Sequence, residues 1–424
     1  MIAKIDNPDH VTSAEIVVGI PSYNEADSIA VPVDVASQGL LKHFAGHSSV
    51  IINVDNHSSD GTREAFLGTP TKIPKIYVST PEEVKGKGHN LRNLFEVAAE
   101  LKAKAIVTVD ADLKSMTPSW IQHLAEPLFD GYDYVVPIYT RHKYDGTITK
   151  NIAYPLVRTL YGLRVRQPIG GDFGISGKLA RCYLVEKTWS EDVSNFGIDI
   201  WMTTIAIGRH FKVCQTFMGS PKIHRTKDPA SDLGPMFCQV VGAIFQLMMD
   251  FEFLWKDTFD SRPSTIYGFG LGDRNDPPEV KVTRDRLHDL FLSGAKDYRD
   301  LWKKVLSPEN WREVQKLKKT KFEKFYFPSD VWARMLFDFA VAYRSPDGDR
   351  VELLNALMPF YFARTLSFVN KTRDMDSNEA EVYIENISRV FEEEKPYLLQ
   401  RWDQSLKEHG VAKVADLLAS ESPD

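Results

Sequence analysis

An α/β fold with a largely parallel sheet, followed by a mainly helical region, is what the sequence predicts, on three observations. Short apolar runs recur in the first half and end on proline or aspartate. Stretches of helical periodicity separate them, the pattern of β-α-β units. After about residue 256 the composition turns to Gly, Pro, Asp and Ser, and beyond that only helical periodicity remains.

The first strand is Glu15 to Pro21, apolar and closed by proline, the profile of a strand buried on both faces. Ser48 to Asp55 and Lys104 to Asp110 repeat it, each ending on an aspartate, and Tyr134 to Tyr139 is a fourth candidate. Leu91, Leu94, Phe95, Ala98 and Leu101 line one face of a helix, and Thr117-Pro118 reads as N-cap and first helical residue before Trp120 to Leu128. Asp257 to Val280 reads as a linker, and helices are expected at Val331 to Tyr343, Leu353 to Val369 and Val382 to Trp402. The expected units are 1–256, an α/β domain, and 257–424, linker and helical region. Sheets of this kind bind ligands beyond the carboxyl ends of their strands, where both strand-ending aspartates fall.

Bulk properties narrow the class. The chain has 424 residues, of which 43% are hydrophobic and 26% charged, as in ordinary globular proteins. A net charge of −6 gives no support for nucleic-acid binding. No apolar run follows the N-terminal charges, and Val240 to Trp255 is short and broken by Gln246, Asp250 and Glu252, so neither a leader nor a membrane span is expected. The cysteines (Cys182, Cys214, Cys238) have no metal-ligand spacing. A cytoplasmic location is the expectation.

The strongest chemical feature is Asp110-Ala111-Asp112. Carboxylates one residue apart at a strand end can share a hard cation, and Mg²⁺ or Mn²⁺ suits such oxygen ligands. Asp347-Gly-Asp349 and Asp374-Met-Asp376 have the same spacing but follow no buried strand. Ile20 to Ala26 leads from the first strand into a helix start, whose free N–H groups can meet a nucleotide. Asp55 to Thr62 clusters hydrogen-bonding side chains after the second strand, where Asp55 could read a base. Gly86-Lys87-Gly88 offers a flexible backbone and one cation for a diphosphate. Taken singly, each also reads as an ordinary turn or surface loop.

Pro-Ser-Tyr-Asn-Glu, Asp-Asn-His-Ser-Ser-Asp-Gly-Thr, Gly-Lys-Gly and Asp-Ala-Asp, in this order, resemble the donor-binding half of GT-A glycosyltransferases. Arg166 to Asp172, Phe196 to Asp199 and Lys222-Ile223-His224-Arg225 are similar to segments of the retaining mannosylglycerate and glucosyl-3-phosphoglycerate synthases. The likeness covers roughly residues 15 to 230. It implies a GT-A fold with a helical C-terminal region, and a UDP- or GDP-hexose donor. It further implies Mg²⁺ or Mn²⁺ held by Asp110, Asp112 and His224, with Asp110 touching the metal or the donor ribose. Pro21, Tyr23 and Glu25 would frame the nucleoside, Asp55 or Asn56 the base, and Lys87 the diphosphate. Ala111 would face the donor, Gly170 and Gly171 would line the sugar pocket, and Asp199 would accept from the sugar hydroxyls. Lys87, Asp112 and Asp199 form the expected catalytic set. Arg141, Asp145 and Thr149 match a glycerate-binding stretch, implying a small hydroxy-acid acceptor such as glycerate or 3-phosphoglycerate. A homodimer is compatible with this reading.

One departure is Asn-Val-Asp-Asn-His at the end of the second strand, in place of the Asp-Asp-Gly-Ser common among inverting relatives, which leaves the nucleobase open. Two alternatives stand beside the retaining enzyme: an inverting transferase with a polysaccharide or lipid-linked acceptor, and a sugar-nucleotide-binding protein without turnover. Stereochemistry comes only from the resemblance.

Overall fold

The computed structural model describes residues 1–224, 233–268, 270, 277–345 and 348–405. Arg225 and Asp347 lie outside the described residues.

Its strands are β1 Lys4–Asp6, β2 Ile16–Ser22, β3 Ser49–Asp55, β4 Lys75–Ser79, β5 Ala105–Thr108, β6 Tyr134–Thr140, β7 Leu163–Arg164, β8 Phe173–Ser176, β9 Val213–Pro221, β10 Arg262–Pro263 and β11 Thr265–Tyr267. Nine of them form one sheet in the order β1-β4-β3-β2-β5-β8-β6-β9-β11. The pairs β2/β3, β2/β5, β3/β4, β6/β9 and β9/β11 are parallel, while β1 and β8 run antiparallel to their neighbours. The chain steps outward from β2 through β3 to β4, then returns to place β5 on the other side of β2. Such a reversal leaves a crevice at the carboxyl ends of β2 and β5.

The four expected strands are present, and the third stops at Thr108, two residues short of Asp110. Neighbouring residues point to opposite faces of the sheet. Val17, Val50, Ile52 and Val54 pack with the helix Lys87–Glu100, whereas Ile16, Val18, Ile20 and Ile51 pack with the helices Ala30–His43 and Pro118–Phe129. Each face of the sheet is thereby covered. The expected linker contributes more than a connection, since its residues Thr265–Tyr267 form the sheet's edge strand against β9.

The helical region follows the expected pattern, with helices Ser329–Tyr343, Arg350–Thr372 and Ser377–Glu393, and helix again over 395–405. Its buried side chains, among them Trp302, Phe360 and Tyr361, belong to the same hydrophobic cluster as the sheet face that holds Val17 and Val54. Arg158, on the helix Tyr154–Tyr161, adds ion pairs to Glu385 at 2.7 Å and Glu392 at 2.8 Å across this contact. Among the described residues no helix is long and apolar enough to cross a membrane.

Close packing places one glycine without alternative. A Cβ on Gly174, in β8, would fall on the Leu124 carbonyl oxygen of the helix Pro118–Phe129. Gly174→Ala should lower unfolding stability by about 1–3 kcal/mol in urea titrations through overpacking; an unchanged midpoint would refute that approach.

Candidate functional site

A cavity of about 550 Å³ opens at the carboxyl ends of β2, β3, β5 and β6, at the point where strand order reverses. Its wall includes Pro21, Tyr23 and Glu25 from β2 onward, Asn56 after β3, Gly86 and Lys87 at a helix start, and Asp110, Ala111 and Asp112 after β5. Arg141, Asp145 and Thr149 after β6, Gly170 and Gly171 before β8, Asp199, and His224 after β9 complete it. Of the expected site residues, Asp55 alone is not in this wall.

The centre of the site is a chain of alternating charges. Asp110 Oδ1 meets Lys87 Nζ at 3.1 Å, and Asp110 Oδ2 meets Lys222 Nζ at 2.8 Å. Lys222 Nζ also donates to Asp172 Oδ2 and the Gly170 carbonyl, both at 2.8 Å. The Asp110 amide donates to Asp172 Oδ1 at 2.9 Å, and the Tyr139 hydroxyl donates to Asp172. Lys87 reaches on to Asp199 Oδ1 at 3.2 Å. That ion contact is not aligned as a hydrogen bond, so Asp199 Oδ1 is a buried acceptor with no hydrogen-bond partner among the described residues.

These neighbours set the ionisation of each group. Burial pushes the Asp110 carboxyl up, but the Lys222 and Lys87 ammoniums outweigh it and hold the group well below the carboxylate range. Burial acts to discharge Lys87 and Lys222, and the aspartates reverse it, so both lysines stay charged. Asp199 is left net raised, because burial exceeds what Lys87 returns. Lys222 escaped the sequence reading. It lies in the Lys-Ile-His-Arg motif, but only the tertiary fold shows that its ammonium is buried between carboxylates.

Asp112 and His224 are carried on segments stitched together behind the cavity. The Lys114 amide donates to the Ile223 carbonyl at 2.9 Å, and the Ile223 amide donates to Ser115 Oγ at 2.8 Å. His224 Nε2 is 3.9 Å from Asp145 Oδ2. The expected trio of metal ligands is thus revised. Among the described residues no three His, Cys, Asp or Glu side chains form a ready metal group, and both Asp110 oxygens face ammoniums. The carboxylate of Asp112 and the imidazole of His224 fit a divalent cation that takes its other ligands from phosphate oxygens and water.

Asp55 is also revised, from a base contact to a support beneath the site. It is fully buried, Oδ1 accepting from Ser22 Oγ at 2.7 Å and Ser58 Oγ at 2.6 Å, Oδ2 from the Ser58 amide at 2.7 Å and the Tyr77 hydroxyl at 2.8 Å. No lone pair is spare for a nucleobase. Asn56 holds the neighbouring loop instead, donating to Asn90 at 2.7 Å and accepting from the Gly86 amide at 2.9 Å. Beside it Lys85, which the sequence reading passed over, lies 4.7 Å from the centre of the Tyr23 ring.

The glycines act by packing. Gly86 has φ +128°, and a Cβ there would strike the Ser194 carbonyl oxygen; one on Gly88 would strike the Val193 carbonyl oxygen. Gly-Lys-Gly therefore seats the helix Lys87–Glu100 against the backbone of 193–194, which fixes where Lys87 points. Gly171, with φ +87°, has no room for a Cβ beside Asp110.

On the acceptor side, Arg141 Nε is buried without a hydrogen-bond partner among the described residues, and 3.7 Å from Asp145 Oδ2. Burial raises the Asp145 carboxyl, but Arg141 and His224 bring it net below its ordinary value. Thr149 opens a π-helical turn, Thr149–Ala153, a rare geometry that recurs at functional sites.

Residues 17–189 match the family model of glycosyl transferase family 2. The matched stretch runs from β2 past β8 and so carries the strand-order reversal and the Asp110 segment, and the sheet with its flanking helices is a GT-A fold. Mannosylglycerate synthase from Rhodothermus marinus is 27% identical over 191 residues, 42% of this chain and 46% of that enzyme. The match thus spans about half the length of that relative. Among solved structures, glucosyl-3-phosphoglycerate synthase from Mycobacterium tuberculosis with Mn²⁺, UDP and glucosyl-3-phosphoglycerate is 22% identical, with a TM-score of 0.44 over 56% of this chain and 80% of that one. The same enzyme with Mg²⁺ and UDP gives the same identity, TM-score and coverage.

Two predictions follow from the buried cations. Lys222→Met should destabilise the protein by about 3–5 kcal/mol by leaving carboxylates unpaired, and adding Asp172→Asn should recover part of the loss. No recovery in denaturant titrations would contradict the pairing. Lys150, under the acceptor loop, is driven by burial to about 7. The unfolded chain, with a lysine near 10.4, binds more protons between these values, so this group's contribution to stability rises with pH from about 7 to 10. The melting temperature of wild type should gain on that of Lys150→Met between about pH 7 and 9; parallel curves would contradict it.

Proposed function

We propose that the chain transfers a hexose, glucose or mannose, from UDP- or GDP-hexose to a small anionic acceptor such as glycerate or 3-phosphoglycerate, with retention at the anomeric carbon. The observation that carries this reading is the convergence on one cavity of an anion-seeking end and a diphosphate-seeking end. The first is Arg141, whose buried Nε has no hydrogen-bond partner among the described residues. The second is Lys87 with Asp112 and His224. The family 2 domain and the likeness to mannosylglycerate synthase support it.

In this reading Tyr23, Glu25 and Asn56 frame the nucleoside, and Asp110, held by its lysines, accepts from the ribose or sugar. A divalent cation, Mg²⁺ or Mn²⁺, at Asp112 and His224 would neutralise charge on the departing nucleoside diphosphate. Lys87 adds a positive charge, largely screened from water, beside the diphosphate, where the lowered dielectric strengthens it. Asp199 Oδ1 accepts from a hydroxyl of the transferred sugar and orients the ring. Arg141 grips the acceptor carboxylate or phosphate in a forked pair, and Thr149 holds a hydroxyl. With retention, the leaving phosphate oxygen takes the acceptor proton. Asp199 also supports a second reading: its raised carboxyl suits a general base in an inverting enzyme. The anomeric proton signal of the product by NMR separates the two.

The reading is tested with purified protein, Mg²⁺ or Mn²⁺, a panel of nucleotide sugars and small hydroxy acids. Asp112→Ala should nearly abolish turnover while the far-UV spectrum is unchanged, and retained activity would remove Asp112 from the site. Arg141→Ala should raise acceptor KM by about tenfold or more, as loss of a charge-assisted contact does, with little change for the donor. Equal losses on both substrates would count against its role.

A further inference from the structure

The stretch from Arg141 to Thr149 lines the cavity on one side and grips the helix Arg350–Thr372 on the other. Before its helical end at 147–149, the backbone bonds of the loop include Asp145 N to His142 O at 2.9 Å, and Lys150 N reaches back to Gly146 O at 3.1 Å. Side chains add to these. Lys143 Nζ donates to the carbonyls of Thr372, Arg373 and Met375 at 2.8, 2.9 and 2.7 Å. A cation there adds a partner to carbonyls at the helix end, of which Thr372's also accepts from the Met375 amide at 3.1 Å, and opposes the negative end of its dipole. The Thr147 hydroxyl and the Tyr361 hydroxyl, both buried, are 2.6 Å apart. Lys150 Nζ closes the loop from within, donating to the carbonyls of His142 and Lys143 at 2.9 Å each. Tyr361 and Thr372 lie eleven residues apart, about three helical turns, and so face the loop from one side of the helix.

We propose that the helix Arg350–Thr372 sets the acceptor subsite, with Lys143 and the Thr147–Tyr361 pair as positioning residues that hold Arg141, Asp145 and Thr149 in place. This rests on the transferase reading above and gives the helical region a task within it. None of the positioning groups belongs to the donor end of the cavity, where Lys222 and Lys87 hold Asp110. Removing one should therefore act on one substrate. A role in stability alone would lower the melting temperature without separating the two substrates.

The test compares Lys143→Met, Lys143→Arg and Tyr361→Phe with wild type in steady-state kinetics and in hydrogen exchange of the 141–149 amides. Lys143→Met and Tyr361→Phe should raise acceptor KM by about fivefold to tenfold, with donor KM within about twofold. Lys143→Arg should restore most of the loss, since a guanidinium can still meet the carbonyls. Equal rises in both KM values, or none, overturn the proposal. If no hydroxy acid accepts a sugar from any donor, the transferase reading fails by itself, and exchange still decides the brace. Faster exchange confined to 141–149 in Lys143→Met supports it, and unchanged exchange overturns it. If Lys143→Met does not fold, Tyr361→Phe, which removes one hydroxyl, carries both readouts.

Discussion

The site depends on how the protein keeps Asp110 ionised where it is only partly exposed to water. A carboxylate withdrawn from water is costly unless paired, and here Lys87 and Lys222 take one oxygen each. Each lysine then needs further anions, which Asp199 and Asp172 provide. The chain of charges ties together the ends of β5 and β9, the turn before β8 and the start of the helix Lys87–Glu100. Glycines at 86, 88 and 171 admit the backbone to the places this network requires. A side chain at any of them would move a lysine or the aspartate it holds.

From that constraint the two ends of the cavity follow. With Asp110 occupied by ammoniums, the proposed cation falls to Asp112 and His224 on adjoining segments, while Lys87 is held by Asp110 and Asp199. The acceptor end is built by other means. Arg141 and Asp145 lie on a loop that runs into the helical turn at Thr149, and lysines cap carbonyls within the loop and at the end of the helix behind it. The donor end rests on the sheet and the acceptor end on helices.

Much of this was legible in the sequence. The buried strands β2, β3 and β6 read clearly as apolar runs, and the strand-end position of Asp110 and Asp112 followed from the rule for parallel sheets. Short strands did not read. Phe173-Gly174-Ile175-Ser176 is four residues with a central glycine, and Thr265–Tyr267 lies in a stretch whose Gly and Pro content resembles a linker. Both are strands because neighbours pair with them. Lys222 and Lys143 could not be assigned because their roles depend on partners far away in the chain. Asp55 misled for the opposite reason: a strand-end aspartate looks available until Ser22, Ser58 and Tyr77 are seen to fill its oxygens.

Calorimetric titration of the protein with UDP and GDP, with and without Mg²⁺ or Mn²⁺, tests the central claim most directly. The account predicts saturable binding of one of these nucleotides that is strengthened by the cation, with the cation's effect lost in His224→Ala. Absence of binding by either nucleotide in the presence of both cations, or binding indifferent to them, would contradict it.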